Sequence, residues 1–221
     1  MKLVIGSKNY SSWSMRPWLL MTQLGIAFEE ERISFAAPDW KQRALDYAPT
    51  GQFPVLVDGD LAIWDTLAIV EYLAETHPNH GVWPQAAAAR ARARSIAAEM
   101  HAGFSALRHS MQMNCELRVT MRPIDRAVRL DIARVFAIWS DCRARVAPDG
   151  GPFLFGAFSA ADAFYAPVVR RFVSYGVEVP PAAHDYVAAM EALPAMRSWM
   201  ADALAEREFV SWEEPYRDGR D

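Results

Sequence analysis

The sequence predicts two parts of different fold class, an α/β domain followed by an all-α domain. Three observations support this. Over residues 1–78, short apolar runs with strand character alternate with helical stretches. Residues 79–85 contain a glycine and a proline and directly follow His77-Pro78, a composition typical of a linker. Over residues 86–221, apolar residues recur every three or four positions, which indicates helices. We therefore expect domains at 1–78 and 86–221, joined by a linker at 79–85.

The first part reads as strand, helix, strand, helix, strand, strand, helix. Strands are predicted over 2–5, 28–35, 54–57 and 61–63, and helices over 14–24, 39–47 and 66–75. The turn Asp58-Gly59-Asp60 joins the last two strands and predicts a β-hairpin. The order βαβαββα fits a small mixed sheet covered by helices.

The second part predicts helices throughout. They are expected over 86–111, 128–146, 159–175, 182–191 and 195–206. Ser159 can cap the third of these helices, with Asp162 three residues later returning a hydrogen bond to the Ser159 backbone.

Composition excludes several functions. The 221 residues are 52% apolar, and 27 acidic residues outnumber 23 basic ones, so we expect neither a nucleic-acid partner nor an anionic membrane surface. We expect no signal peptide, no membrane span and no metal site, because the apolar runs are short and no H-E-x-x-H motif occurs. Cys115 and Cys142 fall on stretches with a helical pattern, Cys115 just after the helix predicted over 86–111, and have no CxxC motif. We interpret them as core thiols of a cytoplasmic protein.

Four stretches, taken in order, resemble the cytosolic glutathione transferase superfamily over nearly the whole chain. They are SSWSMR at residues 11–16, GQFPVL at 51–56, LAIWDTLAIVEYL at 61–73 and FSAADAFYAP at 158–167. In motif the chain is most similar to the serine-type members of the zeta class, which are maleylacetoacetate isomerase-like. The resemblance implies a thioredoxin-like first domain that binds glutathione as co-substrate, and a helical domain that forms the second-substrate site. It also implies a homodimer.

The chemistry of this superfamily requires glutathione as a thiolate. A free thiol has a pKa of about 8.5, and a hydroxyl that donates a hydrogen bond to the sulfur lowers it. The resemblance implies Ser11, five residues before Arg16, as this hydroxyl; classes with a spacing of four imply Ser12 instead. Ser14 is then expected to cap the first helix. Trp13 stands where the zeta pattern has cysteine.

Two more stretches are implied to bind glutathione. A cis bond between Phe53 and Pro54 would expose the Phe53 backbone to the cysteinyl part of glutathione, and the Gln52 amide would bind the peptide. Asp65 and Thr66 precede a helix, whose free N–H groups suit a carboxylate, and Asp65 would accept the α-ammonium. The plain alternatives are a turn that enters a strand at residue 54 and an ordinary helix cap at Asp65 or Thr66.

The second-substrate pocket is expected to involve Trp13, Phe104, Arg108 and Met111, although apolar residues at helical spacing also suit a core. The sequence leaves two functions open. One is a glutathione transferase or isomerase that attacks a small electrophile through the glutathione thiolate. The other is a non-catalytic binding or interaction protein with the same fold.

Overall fold

The computed structural model describes residues 1–146 and 150–214. The strands are β1 Lys2–Ile5, β2 Glu29–Arg32, β3 Val55–Asp58 and β4 Leu61–Trp64. The helices of the first half are α1 Ser12–Leu24, α2 Trp40–Leu45 and α3 Thr66–Thr76, followed by a short 3-10 turn at Pro78–His80. The helices of the second half are α4 Ala87–Ala102, α5 Ser105–Ser110, α6 Arg126–Arg143, α7 Ala160–Ser174, α8 Pro181–Ala192 and α9 Pro194–Glu206. The predicted fold class is confirmed.

The four strands form one mixed sheet in the order β2-β1-β3-β4. Strand β1 pairs in parallel with β2, and β3 pairs antiparallel with both β1 and β4. The side chains of β1 enter two separate core clusters, because successive side chains of a strand point to opposite faces of the sheet. Leu3 and Ile5 belong to the large core that also includes α1, α3 and the helical half, whereas Val4 packs with Phe53 and Val55 in a smaller cluster near α2.

The second strand is shorter than predicted. It covers Glu29–Arg32 rather than residues 28–35. Its last pairing partner is Ile5, where β1 itself ends, so the chain beyond Arg32 has no neighbouring strand with which to continue the ladder. The length of β1 therefore limits the length of β2.

Helix α7 is the centre of the helical half. Nearly every one of its side chains is buried, and it packs against α1 and α4. The predicted capping box is present: the Ser159 N–H donates to Asp162 at 2.9 Å, and the Leu154 N–H donates to the same carboxylate at 3.0 Å. Burial raises the pKa of Asp162 to about 6. The box fixes the start of a helix whose far end reaches the cavity between the two halves.

The single helix predicted over 86–111 is wrong. The structure has two helices, α4 and α5, separated by Gly103 and Phe104. A Cβ on residue 103 would lie 2.7 Å from the Glu99 carbonyl oxygen, and Phe104 adopts φ of 56°, so the helical path ends here. Cys115 correspondingly lies in the segment between α5 and α6 and not in a helix, although both cysteines are buried as expected.

Within the described residues, no helix is long and apolar enough to cross a membrane.

Candidate functional site

A cavity of about 690 Å³ lies between the two halves of the chain. Most of the residues predicted for the site line it. They are Ser11, Ser12, Trp13, Gln52, Phe53, Pro54, Asp65, Thr66 and Arg108. These residues come from the start of α1, the entry to β3, the start of α3 and helix α5. Elements that are far apart in sequence therefore meet at one site.

Two expected pocket residues lie elsewhere. Phe104 and Met111 do not line the cavity but are buried in the large core, Met111 completely. The prediction that these two residues line the pocket is therefore wrong. The helix break after α4 explains why: α5 turns Arg108 and His109 toward the cavity, while residues 104 and 111 pack inward. These two positions are apolar because they belong to the core.

Ser11 caps helix α1. Its Oγ accepts a hydrogen bond from the Ser14 N–H at 3.3 Å, and its hydroxyl donates to Ser14 Oγ at 2.7 Å. Ser14 Oγ also accepts from the Gly6 N–H at 3.1 Å. The expectation that Ser14 caps the helix is therefore wrong: Ser14 lies in the first turn, and its N–H is the group that Ser11 caps. The Ser11 hydroxyl is engaged within this turn.

Ser12 has a different partner. Its Oγ accepts a hydrogen bond from an Arg171 terminal nitrogen at 3.2 Å, and Arg171 also donates through Nε to the Met111 carbonyl at 2.7 Å. Arg171 lies at the end of α7 and is buried, yet it lines the cavity. Arg171 was not predicted as a site residue, although the pair Arg170 and Arg171 in an otherwise mostly apolar helix could have indicated it.

The entry to β3 has the geometry implied by the resemblance. The peptide bond between Phe53 and Pro54 is cis. The Phe53 ring stacks on Phe35 with centroids 6.2 Å apart, and Trp40 packs beside both rings. This aromatic cluster holds the loop in place next to Gln52 at the cavity.

Asp65 caps helix α3 and contacts the helical half. Its Oδ1 accepts from the Leu67 N–H at 2.8 Å, while its Oδ2 lies 3.1 Å from His101 Nε2. Asp65 has a φ of 82°, which is uncommon for a residue other than glycine. Burial lowers the pKa of His101 despite the opposing effect of the Asp65 carboxylate, and Arg16 and Arg108 lower it further. The plain capping role is thus present, and the carboxylate also borders the cavity.

Two arginines of the helical half, Arg108 and Arg171, line the cavity. Arg108 lies over the Trp13 ring at 4.6 Å from its centroid, and Arg16 of α1, which does not line the cavity, lies over the same ring at 4.1 Å. Arg108 donates to the His101 and Gly103 carbonyls. Within residues 1–146 and 150–214, no carboxylate lies within 4.0 Å of Arg16, Arg108 or Arg171. Burial lowers the pKa of Arg16, and the charges of Arg108 and Arg171 lower it further. This wall of the cavity therefore favours an anion.

Several further lining residues were not predicted, and the polar ones among them include Tyr10, Gln112 and Glu213. Glu213 reaches the cavity from the segment after α9. Burial raises the pKa of Glu213, and the nearby Arg171 opposes that rise. Its position near α7 follows only from the path of the folded chain. Among the described residues, no three histidine, cysteine or acidic side chains are grouped so as to hold a metal ion.

Comparisons with known proteins agree with this geometry. Residues 10–76 match the family model of the glutathione S-transferase N-terminal domain, and residues 84–202 match that of the C-terminal domain. Dichloromethane dehalogenase of Methylophilus leisingeri is 40% identical over 68 residues, which is 28% of this chain and 24% of that protein. A probable maleylacetoacetate isomerase of Caenorhabditis elegans is 29% identical over 112 residues, 51% of this chain and 52% of that one. The chain thus spans about a quarter and about half of the lengths of these two relatives.

A solved structure has the same fold. A glutathione transferase homologue from Burkholderia, with bound glutathione, superposes with a TM-score of 0.70 at 24% identity, and the match covers 92% of this chain and 98% of that one.

Proposed function

Because the chain belongs to the glutathione S-transferase family, we propose that it binds glutathione in the cavity as a thiolate that attacks a small electrophile. The observation that carries the proposal is the meeting of Ser12, the cis-proline loop and the start of α3 around one cavity. We assign glutathione to residues 1–78 and the electrophile to the side formed by residues 86–221, with 79–85 as the linker.

The thiolate requires a hydrogen-bond donor. If bound glutathione titrates about two units below a free thiol, the site favours the thiolate by roughly 2.7 kcal/mol. A hydroxyl at the N-terminus of α1 can contribute, since a helix N-terminus carries partial positive charge. The family resemblance favoured Ser11 as the donor, but the Ser11 hydroxyl donates to Ser14. The Ser12 oxygen accepts a hydrogen bond from Arg171, so the Ser12 hydroxyl keeps its own proton for donation. We therefore assign the donor role to Ser12.

The remainder of glutathione would bind the other elements. The backbone N–H and C=O of Phe53, which lines the cavity, would pair with the cysteinyl part, with the Gln52 amide beside them. The Leu67 and Ala68 N–H groups at the start of α3 already donate to Asp65, so the γ-glutamyl carboxylate would bind through the Thr66 N–H and hydroxyl. Asp65 would accept the α-ammonium through Oδ2, which does not take part in the helix cap and lies 3.1 Å from His101 Nε2.

The second substrate is proposed to be a small electrophile that carries negative charge. Arg108 lines the cavity and, among the side chains that the structure describes, has no carboxylate within salt-bridge distance. Guanidinium groups bind carboxylates through paired hydrogen bonds. Both transfer to the electrophile and isomerisation through a temporary glutathione adduct fit such a site; relatives named maleylacetoacetate isomerase favour the second candidate.

A thiolate titration tests the proposal. Glutathione is titrated with pH in the presence of excess protein, and thiolate absorbance is recorded. A bound thiol pKa well below 8.5, together with turnover of an aryl halide, is the expected result. Binding without a shift in the thiol pKa and without turnover would instead support the non-catalytic interaction protein.

A homodimer is part of the proposal. The edge strand β4 exposes Leu61 and Trp64, which are 48% and 43% accessible, and apolar side chains of this size on an edge strand suit a protein interface. Sedimentation equilibrium is expected to give twice the chain mass. A Leu61→Glu variant should shift the equilibrium toward monomer, and Leu61, unlike Trp64, does not line the cavity.

A further inference from the structure

The two neighbouring serines differ in what their hydroxyl protons can do. Ser11 donates to Ser14 and is therefore committed to the turn that starts α1. Ser12 is approached by a guanidinium, which has donors only, so the Ser12 oxygen acts as the acceptor in this pair. The Ser12 proton is left for another partner, and Ser12 lines the cavity.

Arg171 is held firmly in the position from which it donates to the Ser12 oxygen. Its side chain is only 4% exposed, and Nε is anchored to the Met111 carbonyl at 2.7 Å. It lies in α7, whose start is fixed by the Ser159 and Asp162 capping box. Two hydrogen bonds from one planar group define both its position and its orientation.

The charge of Arg171 is only partly compensated. The described groups that interact with it electrostatically include Arg108 from α5, Tyr175 at the end of its own helix, Glu213 from the C-terminal segment and Cys115, and its charge also acts on Arg16 from α1. Burial, followed by the charge of Arg108, lowers the pKa of Arg171 to about 10. The group is therefore still a cation near neutral pH, in a part of the cavity with low exposure to water.

We propose that Arg171 is a positioning residue for thiolate formation: it occupies the Ser12 oxygen so that the Ser12 proton points to the glutathione sulfur, and its charge stabilises the thiolate. This inference rests on the proposed function and assigns the helical domain a part in activating glutathione. When glutathione binds, its S–H bond breaks, the proton leaves to solvent, and the electron pair stays on sulfur. Ser12 keeps its O–H bond and donates a hydrogen bond.

The experiment measures the thiol pKa of bound glutathione in the absence of electrophile. Arg171→Gln keeps a donor but removes the charge, and we expect the pKa to rise by about one unit, a tenfold loss of thiolate at a pH below both values. Arg171→Lys keeps the charge but not the planar pair of donors, and we expect a smaller rise. Ser12→Ala is expected to raise the pKa, and adding Arg171→Gln to it should raise the pKa by less than Arg171→Gln does alone, because the two residues act together.

Arg134→Gln is the matched control, since Arg134 is an exposed residue of α6 that pairs with Glu99 at 2.6 Å. It removes one positive charge without touching the cavity, and the thiol pKa should not change. Thermal melting of each variant separates folding defects from site defects. If Arg171→Gln does not fold, the thiol pKa measured with Arg171→Lys alone tests the proposal: a raised pKa supports it, and an unchanged pKa contradicts it.

Two results separate this inference from the proposed function. A low thiol pKa in the wild type that is unchanged in both Arg171 variants, but raised by Ser12→Ala, would overturn the role of Arg171 and leave the transferase proposal intact. A wild-type protein that binds glutathione with an unshifted thiol pKa would overturn both proposals.

Discussion

The cavity has two walls that obtain their polarity in different ways. The wall from the α/β half uses hydroxyls, a cis-proline loop and the start of a helix, all contributed by short contiguous stretches of residues 11–66. The wall from the helical half uses arginines that have no carboxylate within 4.0 Å in the described part of the chain. In the proposed function, the first wall binds the glutathione peptide and the second binds an anionic substrate. A local motif can specify the first, whereas only packing of helices creates the second.

The largest expected effect separates the two adjacent serines of the first wall. Ser12→Ala should lower kcat/KM with an aryl halide by about 100-fold, because removal of one preorganised donor to a developing anion typically costs that much. Steady-state kinetics at saturating glutathione measures it. Activity within about threefold of wild type would contradict the assignment of Ser12.

The next effect tests glutathione binding at the start of α3. Asp65→Ala should raise the KM for glutathione by about 30-fold, and Asp65→Asn, which keeps a side-chain cap, by about tenfold. The kcat should change little, because contacts that are the same in ground state and transition state affect KM alone. Equal effects of both variants on kcat, with KM unchanged, would place Asp65 outside the binding site.

The third effect concerns the arginine wall. Arg108→Gln should raise the KM for a chlorodinitrobenzoate by about tenfold, the equivalent of one charge-assisted hydrogen bond at a half-buried site. The methyl ester of the same compound is the matched control and should be unaffected, since it lacks the carboxylate. Equal losses with both compounds would mean that Arg108 shapes the pocket and does not recognise charge.

The smallest effect concerns Ser11. Ser11→Ala should lower the free energy of unfolding by about 1 kcal/mol through loss of the α1 cap. Its kcat/KM should fall much less than that of Ser12→Ala. Urea unfolding and kinetics on both variants check the order, and a reversed order of activity would return the donor role to Ser11.

Much of the fold followed from local pattern. The βαβαββα order, the hairpin and the capping box at Ser159 were all predictable, because strand alternation, turn residues and cap residues act over a few positions. The break in the helix after α4 could not be predicted in this way. Phe104 continues the apolar spacing of the helix, but the close approach of residue 103 to the Glu99 carbonyl depends on backbone geometry that the spacing does not record.

Short sequence motifs were sufficient to predict the family, the two-part architecture and the stretches of the first wall, because cap, turn and strand patterns act over a few neighbouring residues. The tertiary structure alone placed Arg171 on Ser12, a contact between residues 159 positions apart. It also moved Phe104 and Met111 into the core and brought Glu213 to the cavity. The contact between Arg171 and Ser12 depends on how α7 packs against α1, and no periodicity within either helix records that packing.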